Sequence, residues 1–352
     1  MNGPHSENDE IAGRYKIESF IGEGGMQYVY NAQDMLLARN VALKTPKNPS
    51  AEKRFRRSAV VASKVNHPNV AKTLDYVEYE DRAYLVEELI VGADLDKAIV
   101  DKTSCVDPYL AARIMHNLSK GLAASHHAGV VHRDLKPTNI MVSGGFQTES
   151  IKITDFGIAK MAEEELAQAA ENETLTGTQT AIGALPYMAP EAIATPREVT
   201  VAADVWSLGA MMYELLAGEK PFGSGLIAVS RIMSNQKPQF PAFITGNAQF
   251  SPLASSLIDI ILECLSFDQN DRPTADEIVE KCSFLCYPTK ERRIGTVIET
   301  GFRYGFISDQ GERIFFHYDS IYGGRPAQGS SVMLSKYPGG GSWRAHPVVK
   351  LP

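Results

Sequence analysis

Three short strings hold the residues that could do chemistry: His132-Arg133-Asp134-Leu135-Lys136-Pro137-Thr138-Asn139, then Asp155-Phe156-Gly157, then Ala189-Pro190-Glu191. Phosphoryl transfer asks a protein for positioning and charge stabilisation rather than covalent help. It needs an aspartate to receive a hydroxyl proton, a lysine to offset charge on the moving phosphate, and an asparagine with a second aspartate to hold magnesium. Each of these is present. Upstream, Gly22-Glu23-Gly24-Gly25-Met26-Gln27-Tyr28-Val29 lies between two strand-like stretches, and Val41-Ala42-Leu43-Lys44 follows. Glycines let a backbone close over phosphates, and Lys44 is placed to reach α- and β-phosphate oxygens.

The elements that must position these residues fall into three blocks. Residues 15–21, 28–32, 41–44 and 83–86 alternate like strands, interrupted by a basic helical stretch at 51–64. From 93 to 284 the pattern is mainly helical, with apolar faces at 109–127, 202–217 and 253–265. Short strand-like pieces at 139–142 and 151–153 carry the catalytic strings. After residue 289 the period becomes two, at 294–298, 304–308, 313–318, 331–334 and 347–350, with turn signals at Asp309-Gln310-Gly311 and Gly339-Gly340-Gly341. Five short strands in so little chain suggest a small barrel.

Bulk properties narrow the class. The net charge of −7 argues against a protein that coats nucleic acid along its whole length. From Lys290 onward, nine basic residues face five acidic ones, a net +4 that leaves −11 on the rest and points to two modules with different partners. Cys105, Cys264, Cys282 and Cys286 are too scattered for a disulfide framework and lack the spacing of a zinc site. The polar, acidic start has no signal-peptide core, and no apolar run reaches 18 residues. The expectation is a cytoplasmic protein with no membrane partner.

Residues 15–284 resemble the eukaryotic-type serine/threonine kinases of bacteria, from the Gly-Gly-Met loop to Asn270-Asp271-Arg272-Pro273. The resemblance implies an α+β bilobal protein-kinase fold, with a β-rich N-lobe at 14–89 and a helical C-lobe at 90–286. A disordered leader (1–13) precedes it, and a linker (287–293) leads to a five-stranded OB-type barrel (294–352). It further implies Asp134 as catalytic base, Lys136 as the phosphate-neutralising cation, and Asn139 and Asp155 as ligands of magnesium, or of manganese in its place. ATP would be held by Ile21, Gly22, Gly24, Gly25, Val29, Ala42, Lys44, Met141 and a hinge at Glu88 and Leu89. Glu191 would pair with Arg272, Asp204 would brace the catalytic loop, and His126-His127 would be structural. Thr178 and Thr180 would be activation-loop phosphosites, proteins the substrates, and the N-lobe a homodimer surface.

Three positions depart from the pattern. Ser58 stands where a helix normally supplies a glutamate to the nucleotide lysine. Losing such a charge-assisted bond costs about 1.5–3 kcal/mol, or roughly 10- to 150-fold in rate. Ala184 replaces a threonine whose hydroxyl bridges Asp134 and Lys136 in relatives. Glu87 occupies the usually apolar back of the adenine pocket, where an unpaired carboxylate would be costly. Either Glu87 turns inward to pair with Lys44, or it reaches solvent through a loosened pocket. These departures leave open a weakly active or inactive pseudokinase that serves as a scaffold or RNA-linked switch.

The tail carries Gly295-Thr296-Val297, Tyr304-Gly305-Phe306-Ile307 and Ile314-Phe315-Phe316-His317-Tyr318. It resembles a cold-shock domain, which implies single-stranded RNA or DNA bound on Tyr304, Phe306, Phe315 and His317, with aromatic rings stacking on bases. The first turn is shorter than in that family, Glu299 stands where a tryptophan is usual, and Phe302 replaces a lysine, with the charge of Arg303 next to it. A barrel that docks on the helical lobe through its aromatics is the competing expectation.

Overall fold

The computed structural model describes residues 3–24, 27–48, 52–156, 183–288 and 290–352. The first sheet has the order β1-β2-β3-β4-β6-β5. Its strands are β1 (Glu10–Ile11), β2 (Tyr15–Glu23), β3 (Gln27–Asp34), β4 (Arg39–Pro46), β5 (Thr73–Tyr79) and β6 (Arg82–Glu88). Alternation puts Tyr15, Ile17, Tyr30, Val41, Leu43, Tyr84 and Val86 into one apolar cluster. The helix α1 (Glu52–Ala62) sets Phe55 and Ala59 against Ala83 and Leu85.

The leader expected to be disordered is folded instead over its described part. Glu10 and Ile11 pair with Lys16 and Tyr15, Ile11 is buried in the sheet's apolar cluster, and the His5 ring lies against Tyr30 and Tyr84. A two-residue strand has no periodicity to read, so one apolar side chain among polar neighbours gave no sign of this strap.

The helical lobe contains β7 (Ala93–Asp94), α2 (Leu95–Ala98), α3 (Pro108–His127), β8 (Ile140–Ser143) and β9 (Ser150–Ile153), followed by α4 (Pro190–Ala194), α5 (Val201–Ala217), α6 (Gly225–Met233), α7 (Phe243–Gly246), α8 (Ser251–Cys264) and α9 (Ala275–Ser283). Asp107 starts α3 by accepting from the Tyr109 and Leu110 amides, with Pro108 in the first turn. Thr200 caps α5, and Gly218 ends it in the left-handed conformation that glycine adopts without strain. Because α5 is apolar nearly all round, it lies at the centre of the lobe. No helix among the described residues is long and apolar enough to cross a membrane.

The tail is a closed five-strand barrel with one short added strand. Its order is β12-β11-β10-β14-β15-β13, and a parallel pairing of β12 with β15 closes it. The strands are β10 (Arg293–Thr300), β11 (Tyr304–Asp309), β12 (Glu312–His317), β13 (Ile321–Tyr322), β14 (Ser331–Tyr337) and β15 (Trp343–Lys350). Gly305 is required by close packing, since a Cβ there would lie 2.5 Å from the Phe316 ring.

The barrel docks on the helical lobe, but not through the aromatics singled out above. Tyr322, Met333 and Val349 join the helical core. His346 stacks on Phe250 (5.1 Å between ring centres, 19°), and the Tyr322 hydroxyl donates to the Leu216 carbonyl at 3.3 Å. Arg292 Nη2 donates to Asp107 Oδ1 at 2.9 Å, with the two side chains only 6% and 0% exposed.

Candidate active site

The site has two clusters, one under the sheet and one on the loop after α3. In the first, the pairing of β4 with β6 sets Ala42 opposite Glu87 and Lys44 opposite Leu85. Lys44 and Glu87 are therefore diagonal neighbours on the face of the sheet that looks away from its apolar cluster. Lys44 Nζ lies 2.6 Å from Glu87 Oε2 and 2.9 Å from Asp155 Oδ1. Of the two alternatives for Glu87, the inward pair is the one the molecule adopts, and Glu87 is 4% exposed. Ser58 belongs to α1 by its backbone, and its side chain lies outside the described residues.

A third group completes this cluster. Gln27 Nε2 donates to Asp155 Oδ1 at 2.7 Å, and the Gly24 amide donates to the Gln27 carbonyl at 2.9 Å, closing the glycine turn. Sequence reasoning noted Gln27 only as a tolerated replacement for glycine. The available signal was its type, a long amide donor at the first residue of the strand that follows the glycine turn.

Burial and charge act against each other here. Burial disfavours the Lys44 cation, but the attraction of Asp155 and Glu87 outweighs it and raises the lysine above its ordinary value. Burial also disfavours the Asp155 carboxylate, yet Lys44 and the Gln27 amide hold it below the usual range. Glu87 goes the other way, raised by burial that Lys44 only partly offsets. Between two carboxylates sharing one lysine, Glu87 is the readier to take a proton.

In the second cluster, Asp204 accepts from the His132 and Arg133 amides, both at 2.8 Å, and contacts His126 Nε2 at 3.0 Å, so His126 is structural. This brace sets the loop that presents Asp134. Lys136 Nζ donates to Asp134 Oδ2 at 2.7 Å, and Asn139 Nδ2 donates to the Asp134 carbonyl (2.7 Å) and Oδ2 (3.1 Å). The Thr154 amide donates to the Asn139 carbonyl at 2.9 Å, which ties the two clusters together one residue before Asp155. Phe156 is buried edge-on to His132, turning Asp155 toward Lys44. Glu191 and Arg272 form a bidentate pair at 2.6 and 2.8 Å. A cavity of about 10 Å³ lies beside Asp134, Leu135, Ala184 and Tyr187.

The remaining expected positions sort as follows. Ile21 and Gly22 lie on β2, Val29 on β3, Ala42 on the Lys44 face of β4, and Met141 on β8, with Leu89 just past β6. The Glu88 carboxylate is held by Lys152 Nζ and the Lys72 amide, and its own amide donates to the Lys72 carbonyl. Gly25, Thr178 and Thr180 lie outside the described residues. A carboxylate on Asp155 and the amide oxygen of Asn139 are hard donors that suit magnesium. Gln27 Oε1, buried without a hydrogen-bond partner among the described residues, adds a further oxygen close by. Among the described residues no group of three His, Cys, Asp or Glu side chains forms a ready-made metal cage.

On the barrel, Tyr304 and Phe315 stack (5.9 Å, 22°), Phe306 meets Phe315 edge-on, and the Arg313 guanidinium lies 3.7 Å from the Phe306 ring centre. His317 pairs with Tyr304 across the strands. Trp343, paired with Ile314 and covered by Lys336, is a further aromatic of the barrel and was not foreseen.

Comparison with known proteins gives the following. Residues 15–284 match the family model described as protein kinase domain. The chain is 33% identical over 287 residues to a probable serine/threonine-protein kinase of Corynebacterium efficiens, covering 78% of this chain and 42% of that protein. It is 34% identical over 275 residues to serine/threonine-protein kinase PrkC of Bacillus subtilis (77% and 40%). It is also 34% identical over 272 residues to serine/threonine-protein kinase PknB of Mycobacterium tuberculosis (74% and 41%). The chain spans about two fifths of the length of these relatives.

Proposed function

This chain belongs to the protein kinase family, and on that premise we propose that it transfers the γ-phosphoryl group of Mg-ATP to serine or threonine hydroxyls of proteins. The observation that carries the reading is the Lys44–Glu87 pair, which supplies the carboxylate that Ser58 withholds. Asp134 orients the acceptor hydroxyl and takes its proton. Lys136 offsets charge on the group in transit, and Lys44 holds the nucleotide phosphates. The Asn139 amide hydrogens are turned to Asp134, so its oxygen is the atom that, with the Asp155 carboxylate, would hold the divalent cation of Mg-ATP. When bound, that cation would offset the charge developing on the transferred group.

The test is autophosphorylation with labelled Mg-ATP, wild type beside Asp134→Asn, with mapping of the labelled residues. Label on Thr178 or Thr180 that disappears in the variant supports the reading. Label no greater than the variant background, with or without single-stranded RNA, favours a scaffold.

The barrel favours a second role beside the first. Its docked side uses β13, β14 and β15, which leaves Tyr304, 41% exposed, with Phe306, Phe315 and His317 outside the contact. We propose that this face stacks on single-stranded RNA or DNA, each base contact being worth about 1–3 kcal/mol. Fluorescence anisotropy with labelled oligo-rU and oligo-dT measures it. Phe306→Ala with Phe315→Ala should weaken binding at least tenfold, and equal affinity in the double variant refutes it.

A further inference from the structure

Among the described residues, every group that fixes Lys44 comes from the sheet or from the loop after β9. Glu87 lies on β6, Gln27 on β3, and Asp155 two residues past the end of β9. The ladder around them is continuous: Lys44 pairs with Val29 on one side and Leu85 on the other. The distance between Lys44 and Glu87 is therefore set by strand register, which cannot slip by one residue without turning each side chain to the opposite face.

The helix α1 holds to this sheet by different means. Its sequence, Glu-Lys-Arg-Phe-Arg-Arg-Ser-Ala-Val-Val-Ala, has one carboxylate, Glu52, at its first residue, and Ser58 stands where the kinase pattern has a glutamate. Among the described residues its contacts with the sheet are apolar, Phe55 and Ala59 against Ala83 and Leu85, with Arg56 3.8 Å from Glu78 at the rim. Where a helix carboxylate pairs with the nucleotide lysine, moving the helix makes or breaks that pair and so switches the enzyme. Apolar contacts of this kind transmit no such charge to the nucleotide site.

We propose that Glu87 is a positioning residue that uncouples the nucleotide lysine from α1, so that displacement of the helix does not switch nucleotide binding. The inference rests on the nucleotide-site reading above. With Lys44 pre-set by β6, control of the reaction falls to the segment after Asp155 and to substrate docking. The basic helix is then free to move or to be held by another molecule without emptying the site.

Hydrogen exchange of the full chain, with and without the Mg complex of the non-hydrolysable analogue AMP-PNP, tests this directly. Protection should rise over 41–46 and 85–89 and stay unchanged over 52–62. Protection of 52–62 comparable to that of β4 overturns the uncoupling while leaving nucleotide binding intact. No protection anywhere removes the nucleotide-site reading, and the inference with it. Glu87→Gln should weaken AMP-PNP binding about tenfold or more, and a change under twofold overturns the positioning role. Adding Ser58→Glu to Glu87→Gln should recover most of the affinity and make 52–62 newly protected by nucleotide, a readout that a merely structural role for Glu87 would not move.

Discussion

Arg292 and Asp107 join the barrel to the helical lobe through an ion pair almost wholly out of water. Removing one partner of such a pair strands the other charge and costs about 3–5 kcal/mol. Arg292→Met leaves the Asp107 carboxylate with only two long amide contacts, at 3.2 and 3.3 Å. Asp107→Asn keeps an oxygen to cap α3 but leaves the guanidinium uncompensated. The pair is also imperfect, since Asp107 Oδ2 and Arg292 Nη1 have no hydrogen-bond partner among the described residues. Each single variant should therefore lose about 3–5 kcal/mol, or roughly 4–7 °C in Tm at about 2.1 cal/mol/K per residue for a chain of this size. The double variant, with no charge left buried, should lie within about 1 kcal/mol of wild type. Urea unfolding can follow both parts, because Trp206 reports on α5 and Trp343 on β15. The shared core predicts one coincident transition for both probes. Single variants within 1 kcal/mol of wild type, or a double variant as unstable as the sum of the singles, would refute the reasoning.

Other outcomes follow from the two clusters. Ala184→Thr adds a hydroxyl beside Asp134, next to a cavity of about 10 Å³. A neutral hydrogen bond of about 0.5–1.5 kcal/mol predicts a kcat raised roughly two- to tenfold, and steady-state assays showing no gain would sink the idea. Glu87 has its carboxyl raised above the ordinary value by burial, so the folded state binds this proton more tightly than the unfolded chain. Its contribution is thus fully present below the ordinary glutamate value and is lost as pH rises through the higher folded value. Wild type should lose stability relative to Glu87→Gln across that window, read from urea midpoints, and parallel curves would contradict it.

Much of this was legible because catalytic strings are local. Asp134, Lys136 and Asn139 sit within one turn of chain, and their mutual contacts follow from that closeness. The barrel strands were legible because alternation over several residues repeats. Glu87 was half legible: its chemistry left a choice between Lys44 and solvent, and the β4–β6 register decided for Lys44. Docking was not legible. Phe250, Tyr322 and His346 are far apart in sequence and individually ordinary, and Arg292 read as one basic residue among nine. The strap at β1 escaped for the opposite reason, being too short to carry a pattern.

The stretch between the helical lobe and the barrel is itself pinned. The Tyr287 hydroxyl meets His116 at 2.6 Å, and the Arg292 amide donates to Gln147 Oε1 at 2.8 Å. Modules on a floppy tether sample a volume, and their benefit is an effective concentration that falls slowly as the tether lengthens. This chain has exchanged the volume for a bearing. A molecule held on Tyr304 and Phe315 would be carried at one fixed bearing from Asp134, whatever its own length or flexibility.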